Sequence, residues 1–440
     1  MKKTPVLLAI LLLAVLAWPV WGQDSSDPVQ DDFPYLAQLY QHLHSHPELS
    51  GQEKETAQRV AEKLRTAGFS VTEKVGTYGV VGVYRNGPGP TVMVRADFDA
   101  LPITEETGLP YASKVKGKIM VGPNLQDTGI FHGCGHDMHT TIMIGTARFL
   151  MRNKDKWHGT LVMVGQPAEE DTTGALSMIK DGLFTRFPRP DFIIGLHVLP
   201  FPAGYVGYHE GYWFAGDTTM DVTIRGVGGN SHRPQDCKDP VVIAAQTIMA
   251  LQTIVSREID PADPAVLSVC PIRGGISPST IPEEVFMSVD IRAFKEEVRQ
   301  KIMSSVRRIT SNIAQAAGVP DDLMPIVKET MYSPPLYNDP ALTRRVKGVL
   351  ETTFGQQATF DMPPIMGTED FARFGLEKPA IPICFFGIGS VNPQVFQDAV
   401  KAGQTVPGLH NPRFAPELEP TLKTGLKAMS AVILDLYQGR

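Results

Sequence analysis

Phe131-His132-Gly133-Cys134-Gly135-His136-Asp137-Met138-His139 places a thiol, three imidazoles and a carboxylate within nine residues. Gly133 and Gly135 flank Cys134 and let the backbone bend around something small. Helical periodicity begins at once and runs over residues 137–151, so this stretch is a loop that opens a helix. Outward from it, residues 80–84, 91–96, 160–164 and 192–197 read as short apolar strands. Residues 35–44, 54–67 and 175–180 read as helices, with Asn86-Gly87-Pro88-Gly89 turning between the first two strands. Strands alternating with helices imply an α/β layer around a largely parallel mixed sheet flanked by helices. The polar residues fall at the C-terminal ends of the strands, where such sheets place their sites.

Three further polar pieces follow: Gln166-Pro167-Ala168-Glu169-Glu170, Gly195-Leu196-His197 and Gly408-Leu409-His410. Thiol, imidazole and carboxylate donors at these intervals suit a metal site assembled from several loops. Cys134 and His136, one residue apart on an extended loop, can reach a common centre. A thiolate has lone pairs enough to bridge two cations, and the following helix N-terminus favours the anion. Adjacent Glu169 and Glu170 repel each other unless a cation binds one and the other holds the proton of a water. His197 ends a buried strand, and His410 sits in a Gly/Pro-rich loop. Asp97 and Asp99, two apart at a strand end, share a face, where one can orient a ligand. A lone histidine is usually a core or surface residue, and an acid pair is often a cap or a solvated turn. The density of donors reverses that here.

The chain has 440 residues, too many for one ordinary core. Its 42% hydrophobic and 20% charged residues are those of a globular protein. A net charge of −6 without a basic block argues against nucleic acid as a partner. Lys2 and Lys3 precede an apolar run from Val6 to Trp18, and Val20-Trp21-Gly22 offers a cleavage site: a secretory signal peptide over residues 1–22. An uncleaved anchor is the other reading, but the run is short for a full span. The mature protein is then expected outside the cytoplasm, periplasmic or secreted, with no other membrane span. Cys134, Cys237, Cys270 and Cys384 are too few for a disulfide scaffold; Cys134 reads as a ligand and the others as small apolar residues.

The texture changes near Gly216. Strands at 220–225, 266–272 and 285–291 with helices at 240–256 and 295–317 suggest a smaller α+β, ferredoxin-like unit. Past Pro325 alternation resumes at 341–354, 368–374, 381–386 and 421–437. The simplest organisation is a main domain over residues 23–215 and 325–440, with 216–324 inserted.

With these pieces in order, the chain resembles the M20 metallopeptidase family, in the amidohydrolase branch that acts on N-acyl amino acids, hippurate and auxin conjugates. The matching motifs are Arg95-Ala-Asp-Phe-Asp-Ala-Leu-Pro-Ile103, His132-Gly-Cys-Gly-His-Asp-Met-His139, Gln166-Pro-Ala-Glu-Glu170, Gly195-Leu-His197, Gly228-Gly-Asn-Ser-His-Arg-Pro234, Ile281-Pro-Glu283, Met366-Gly-Thr-Glu-Asp-Phe371 and Leu409-His410. The resemblance implies two divalent metal ions per subunit, zinc or manganese first, with cobalt or nickel as alternatives. Cys134 would bridge, and His136, Glu170, His197 and His410 would complete the site. It implies Glu169 as general base, Asp99 as the orienting aspartate and His232 as a group that steadies the tetrahedral intermediate, often across a dimer. The inserted unit would serve as lid and dimerisation surface. Asp97 stands where other branches have a ligand histidine. Ser-Val-Asp290-Ile-Arg292 departs from the branch's usual Gly-Thr-Val-Arg run, and Arg292 is one candidate for binding a substrate carboxylate.

The expected partner is a small N-acyl amino acid or a peptide. Three rivals remain: a thiol enzyme using Cys134, a non-enzymatic binder, and a carboxypeptidase or dipeptidase of the same family. The first leaves Glu170, His197 and His410 idle. The second needs a missing ligand or base. The third differs only in the group on the far side of the amide.

Overall fold

The computed structural model describes residues 32–121 and 124–438; the signal peptide expected over 1–22 lies outside them. A mixed eight-stranded sheet forms the main body. Its order is Ser70–Val75, Gly79–Asn86, Gly159–Gln166, Thr91–Asp97, Phe192–Pro202, Ile383–Val391, Val206–Tyr208 and Thr359–Asp361. The four strands from Gly159–Gln166 to Ile383–Val391 run parallel. Each is an almost unbroken apolar run because both its faces are covered. Val92, Val94, Leu161, Met163, Ile194 and Leu196 face a core shared with the helices Phe33–Ser45, Lys54–Thr66, His136–Arg152, Pro340–Phe354 and Leu418–Tyr437. The alternate residues Met93, Val162, Val164 and Ile193 face a second core with Phe371, Phe374 and Phe385.

The helices follow their sequence signals. Asp339 caps Pro340–Phe354 by accepting the Leu342 N–H at 2.8 Å, with proline at the first helical position. Leu422, Leu426, Met429 and Ile433 form the buried stripe of Leu418–Tyr437 and lie in one core with Met138 and Ile142 of His136–Arg152.

One expectation about the main sheet changes. The strands on either side of the Asn86–Gly89 turn do not pair with each other; Gly159–Gln166 lies between them, antiparallel to one and parallel to the other. Residues 368–374, read only as one segment of the alternating helices and strands, contribute to a 3₁₀ stretch over Asp370–Leu376.

The second sheet has the order Ala265–Gly274, Glu284–Ala293, Gly216–Arg225, Ile326–Ser333, all antiparallel. Helices Pro240–Thr253 and Glu296–Ala316 bury one face of it around Met220, Val222, Met287, Val289 and Ile302. The connection is strand–helix–strand–strand–helix–strand, the ferredoxin-like order. The expected end of this unit at residue 324 is too early, because Ile326–Ser333 is its fourth strand. That strand lies at the edge with Lys328, Glu329 and Thr330 exposed, so its sequence alternates too weakly to announce it. The chain enters and leaves the unit at one point: a Cβ on Gly216 would lie 2.9 Å from Pro335 Cδ.

Among the described residues, one stretch, Pro240–Glu258, is long and apolar enough by composition to cross a membrane. This corrects the expectation that no stretch beyond the N-terminal one has such length and composition. Its Ile243, Ala244, Leu251 and Ile254 pack into the core of the inserted unit.

Candidate metal centre

The polar pieces meet where the sheet changes direction. From Thr91–Asp97 the chain passes to Gly159–Gln166 on one side, then crosses to Phe192–Pro202 on the other. The crevice beyond the C-terminal ends of such strands is the place where parallel sheets bind ligands. Asp97 ends one strand, Glu169 and Glu170 follow the next, and His197 lies within the third. The Cys134 loop closes the crevice from the start of His136–Arg152. The His410 loop joins it through the His410 N–H, which donates to Gly133 O at 2.8 Å.

Cys134 Sγ lies 3.5 Å from His197 Nε2. Glu170 Oε2 lies 3.4 Å from His410 Nε2, and Glu170 Oε1 lies 3.8 Å from His136 Nε2. Glu169 Oε2 is 3.9 Å from that same nitrogen. Donor atoms of Cys134, His136 and His197 lie within 4.8 Å of one another, as do those of Cys134, Glu170 and His410, and those of His136, Glu169 and Glu170.

The outer contacts fix which nitrogen each imidazole offers. His136 Nδ1 donates to Asp99, 3.0 Å from its carbonyl and 3.1 Å from Oδ1, and His197 Nδ1 donates to Val198 O at 2.7 Å. Both Nε2 lone pairs therefore face the centre, as in metal-ligating histidines. His136 Nε2 and Glu170 Oε1 are buried with no hydrogen-bond partner among the described residues. Buried polar atoms without partners are costly, so these two call for a cation. His139 differs: its Nδ1 meets Asp97 Oδ1 at 2.6 Å and its Nε2 accepts the Val198 N–H at 2.9 Å, so it is an anchor with no lone pair to offer. Asp137 is likewise committed, to His44 at 2.7 Å.

Charge at the centre is unbalanced toward acid. Burial opposes a proton on His136, but Asp97, Asp99 and Glu170 outweigh it and raise this imidazole to about 10, so without a cation Nε2 holds a proton that a bound metal ion would displace. Burial, helped by His139, keeps His197 well below the usual range and so neutral, the form that ligates. Burial pushes the Glu169 carboxyl well up, reinforced by Glu369, Glu170, Asp370 and Asp97. The Cys134 thiol, expected to be an anion at the helix N-terminus, is instead pushed well up by burial and by Glu170, Glu169 and Asp97. A helix end is a fraction of a charge and three carboxylates outweigh it. Left to the protein groups alone, Cys134 is a poor nucleophile.

Backbone strain gathers at the same place. Ala168, Thr172 and His410 have positive φ of 49°, 55° and 62°. Non-glycine residues in that region persist only where their surroundings hold them.

Of the remaining candidates, Asp99 sits between His136 and the Glu170 N–H, which donates to Asp99 Oδ2 at 3.0 Å. His232 is exposed on the inserted unit and belongs to none of the donor groups. Arg292 is engaged by Asp217 at 2.9 Å, Asp290 at 3.0 Å and Thr368 Oγ1 at 2.6 Å, so the cation weighed for a substrate carboxylate is already neutralised.

Sequence reasoning missed the support beneath the centre. The side chain of Arg95 is fully buried and pairs with Asp97 at 2.8 Å, Glu369 at 2.9 Å and Asp370 at 3.2 Å. Gln166 joins it by accepting from Arg95 Nε and donating to Asp370. The signal was an arginine inside an apolar strand and the Glu369-Asp370 pair in a motif left without a role.

The profile of Peptidase family M20/M25/M40 matches residues 93–435. The chain is 34% identical over 399 residues to thermostable carboxypeptidase 1 of Saccharolobus solfataricus, covering 90% of this chain and 93% of that one. It is 36% identical over 354 residues to N-acetyl-L-cysteine deacetylase of Bacillus subtilis, 80% of each. Among solved structures, the Bacillus subtilis YXEP protein, described as a dinuclear metal-binding peptidase of family M20, superposes with a TM-score of 0.73 at 27% identity, covering 95% of this chain and all of that one.

Proposed function

The chain belongs to peptidase family M20/M25/M40, and from that membership we propose that it hydrolyses the amide bond of small N-acyl or N-aroyl amino acids, or of short peptides, that bear a free carboxylate. The metal-dependent hydrolysis of amide bonds is the family's property; the substrate class and the residue roles are our reading. The observation that carries it is the unpartnered pair His136 Nε2 and Glu170 Oε1, facing each other across 3.8 Å with Glu169 beside them.

In this reading Cys134, His136, Glu170, His197 and His410 are the residues that would hold two divalent cations. Divalent cations held there would polarise the scissile carbonyl and make an attacking water more acidic. The thiolate and imidazole donors favour zinc, and the carboxylate tolerates manganese. Glu169 takes the proton from the water and returns it to the leaving nitrogen. Burial suits Glu169 to both tasks, because its carboxyl holds a proton more readily than an exposed one. Asp99 keeps His136 and the Glu170 backbone in place. His232 is proposed to reach the centre of a second copy, where it steadies the oxyanion. The inserted unit then acts as lid and as dimerisation surface, and residues 1–22 direct export.

The similarity to a carboxypeptidase supports a second reading, cleavage of a C-terminal peptide bond by the same machinery. One experiment separates the two: product analysis across N-acyl amino acids and dipeptides, each beside its C-terminal amide, with metal content measured on the same preparation. Preferred hydrolysis of acyl amino acids supports deacylation. Preference for dipeptides favours the second reading. Equal kcat/KM for acid and amide removes carboxylate recognition.

A further inference from the structure

Glu53 lies at the N-cap of Lys54–Thr66, yet its carboxylate makes no bond to that helix. A carboxylate in this position ordinarily turns onto the first free N–H groups of its own helix. Here Glu48 takes that task, accepting from Glu55 N–H at 3.1 Å and Thr56 N–H at 2.7 Å. Glu53 is thereby released. It is fully buried, and its Oε1 accepts the Gly51 N–H at 2.8 Å and, from far along the chain, the Ala168 N–H at 2.8 Å.

Ala168 is the residue that needs holding. Its φ of 49° lies in the left-handed region, which disfavours alanine, and it directly precedes Glu169 and Glu170. The other side of the turn is already rigid. Ala168 O accepts from Thr173 N–H at 3.2 Å and Gly174 N–H at 3.0 Å. A Cβ on Gly174 would lie 1.6 Å from Pro167 O, so the turn closes there without slack. The Ala168 N–H is the remaining handle, and the Glu53 carboxylate holds it.

We propose that Glu53 is a positioning residue that sets the direction of Glu169 by fixing the left-handed turn at Ala168. The proposal rests on the reading of Glu169 as general base. Glu53 touches neither substrate nor base; it acts through one backbone N–H. Its second oxygen is buried without a partner among the described residues, and burial raises the carboxyl to about 7. The position therefore needs an acceptor oxygen and not a charge, so glutamine should serve as well as glutamate.

The test uses the full-length enzyme and three variants, each assayed for kcat, KM, bound metal and thermal stability. Glu53→Leu keeps the volume and removes the acceptor. It should lose roughly a hundredfold in kcat, as a misaimed catalytic group does, with KM within twofold and metal content unchanged. Glu53→Gln should stay within about threefold of wild type, since the acceptor is restored. Glu169→Gln runs alongside. If it is inactive while Glu53→Leu turns over normally, the positioning role is overturned and the base assignment stands. If Glu169→Gln is active, the base assignment fails by itself. Loss of activity in Glu53→Gln equal to that in Glu53→Leu would also overturn the proposal, because it would make the charge the requirement. If Glu53→Leu does not fold, the glutamine variant decides.

Discussion

His136 Nδ1 and Asp99 Oδ1 stand 3.1 Å apart, and this contact turns Nε2 of the imidazole toward Glu170. Ser50 Oγ, donating to Asp99 Oδ2 at 2.7 Å, fixes the acid in turn. Asp99→Ala should therefore lower metal affinity by ~10–100-fold while the fold persists, as loss of an outer hydrogen-bond partner does at metal sites. Titration with a competing chelator measures it; wild-type affinity in the variant would separate Asp99 from the centre.

Glu169→Gln removes a proton acceptor and leaves the donors around His136 intact. Metal content should equal that of wild type while kcat falls ~10²–10⁴-fold. Retention of more than about a tenth of the activity would disprove the role.

Cys134→Ser should lower bound metal as well as turnover, because a neutral hydroxyl is a weak substitute for a thiolate. A fully metallated, inactive serine variant would revive the thiol mechanism.

His232 is exposed and belongs to none of the donor groups of its own chain, so complementation is informative. His232→Ala and Glu169→Gln should each be inactive alone and regain activity when mixed and allowed to exchange subunits. Mixtures as inactive as their parents would remove the second copy from the reading.

The His44 imidazole is fully buried between Asp137 at 2.7 Å and Glu105 at 3.1 Å. Burial opposes its proton, but the two acids outweigh burial and raise it to about 9 from 6.5. The folded state thus holds the proton more tightly than the unfolded chain. The stabilisation is complete below about 6.5 and disappears as pH rises through about 9. Thermal melts should show this decline in wild type and a flatter profile in His44→Gln; identical slopes would refute it.

The donors were legible because Cys134, His136, Glu170, His197 and His410 are chemically conspicuous in apolar or glycine-rich surroundings. Their supports were not. Arg95 pairs with Glu369, which lies 274 positions away in sequence, and local periodicity carries no record of such a contact. Asp97 and Asp99 look alike in sequence, yet one anchors His139 and Arg95 while the other orients His136. The helix Pro393–Lys401 was announced by Asn392-Pro393, a cap and a first-turn proline, and was missed because none of its residues is fully buried. Ser70–Val75 and the hairpin Lys116–Val121 with Asn124–Gly129 escaped for a related reason: edge strands and self-paired ribbons need little apolar alternation.

His410 comes from a point in the chain beyond every other donor, and the helix that secures the main body, Leu418–Tyr437, comes later still. A polypeptide still attached to the ribosome by its last few dozen residues has Cys134, His136, Glu170 and His197 but lacks the fifth donor. If the proposed centre holds, capture of the full metal complement would wait for His410, and a copy truncated before that residue would load less metal.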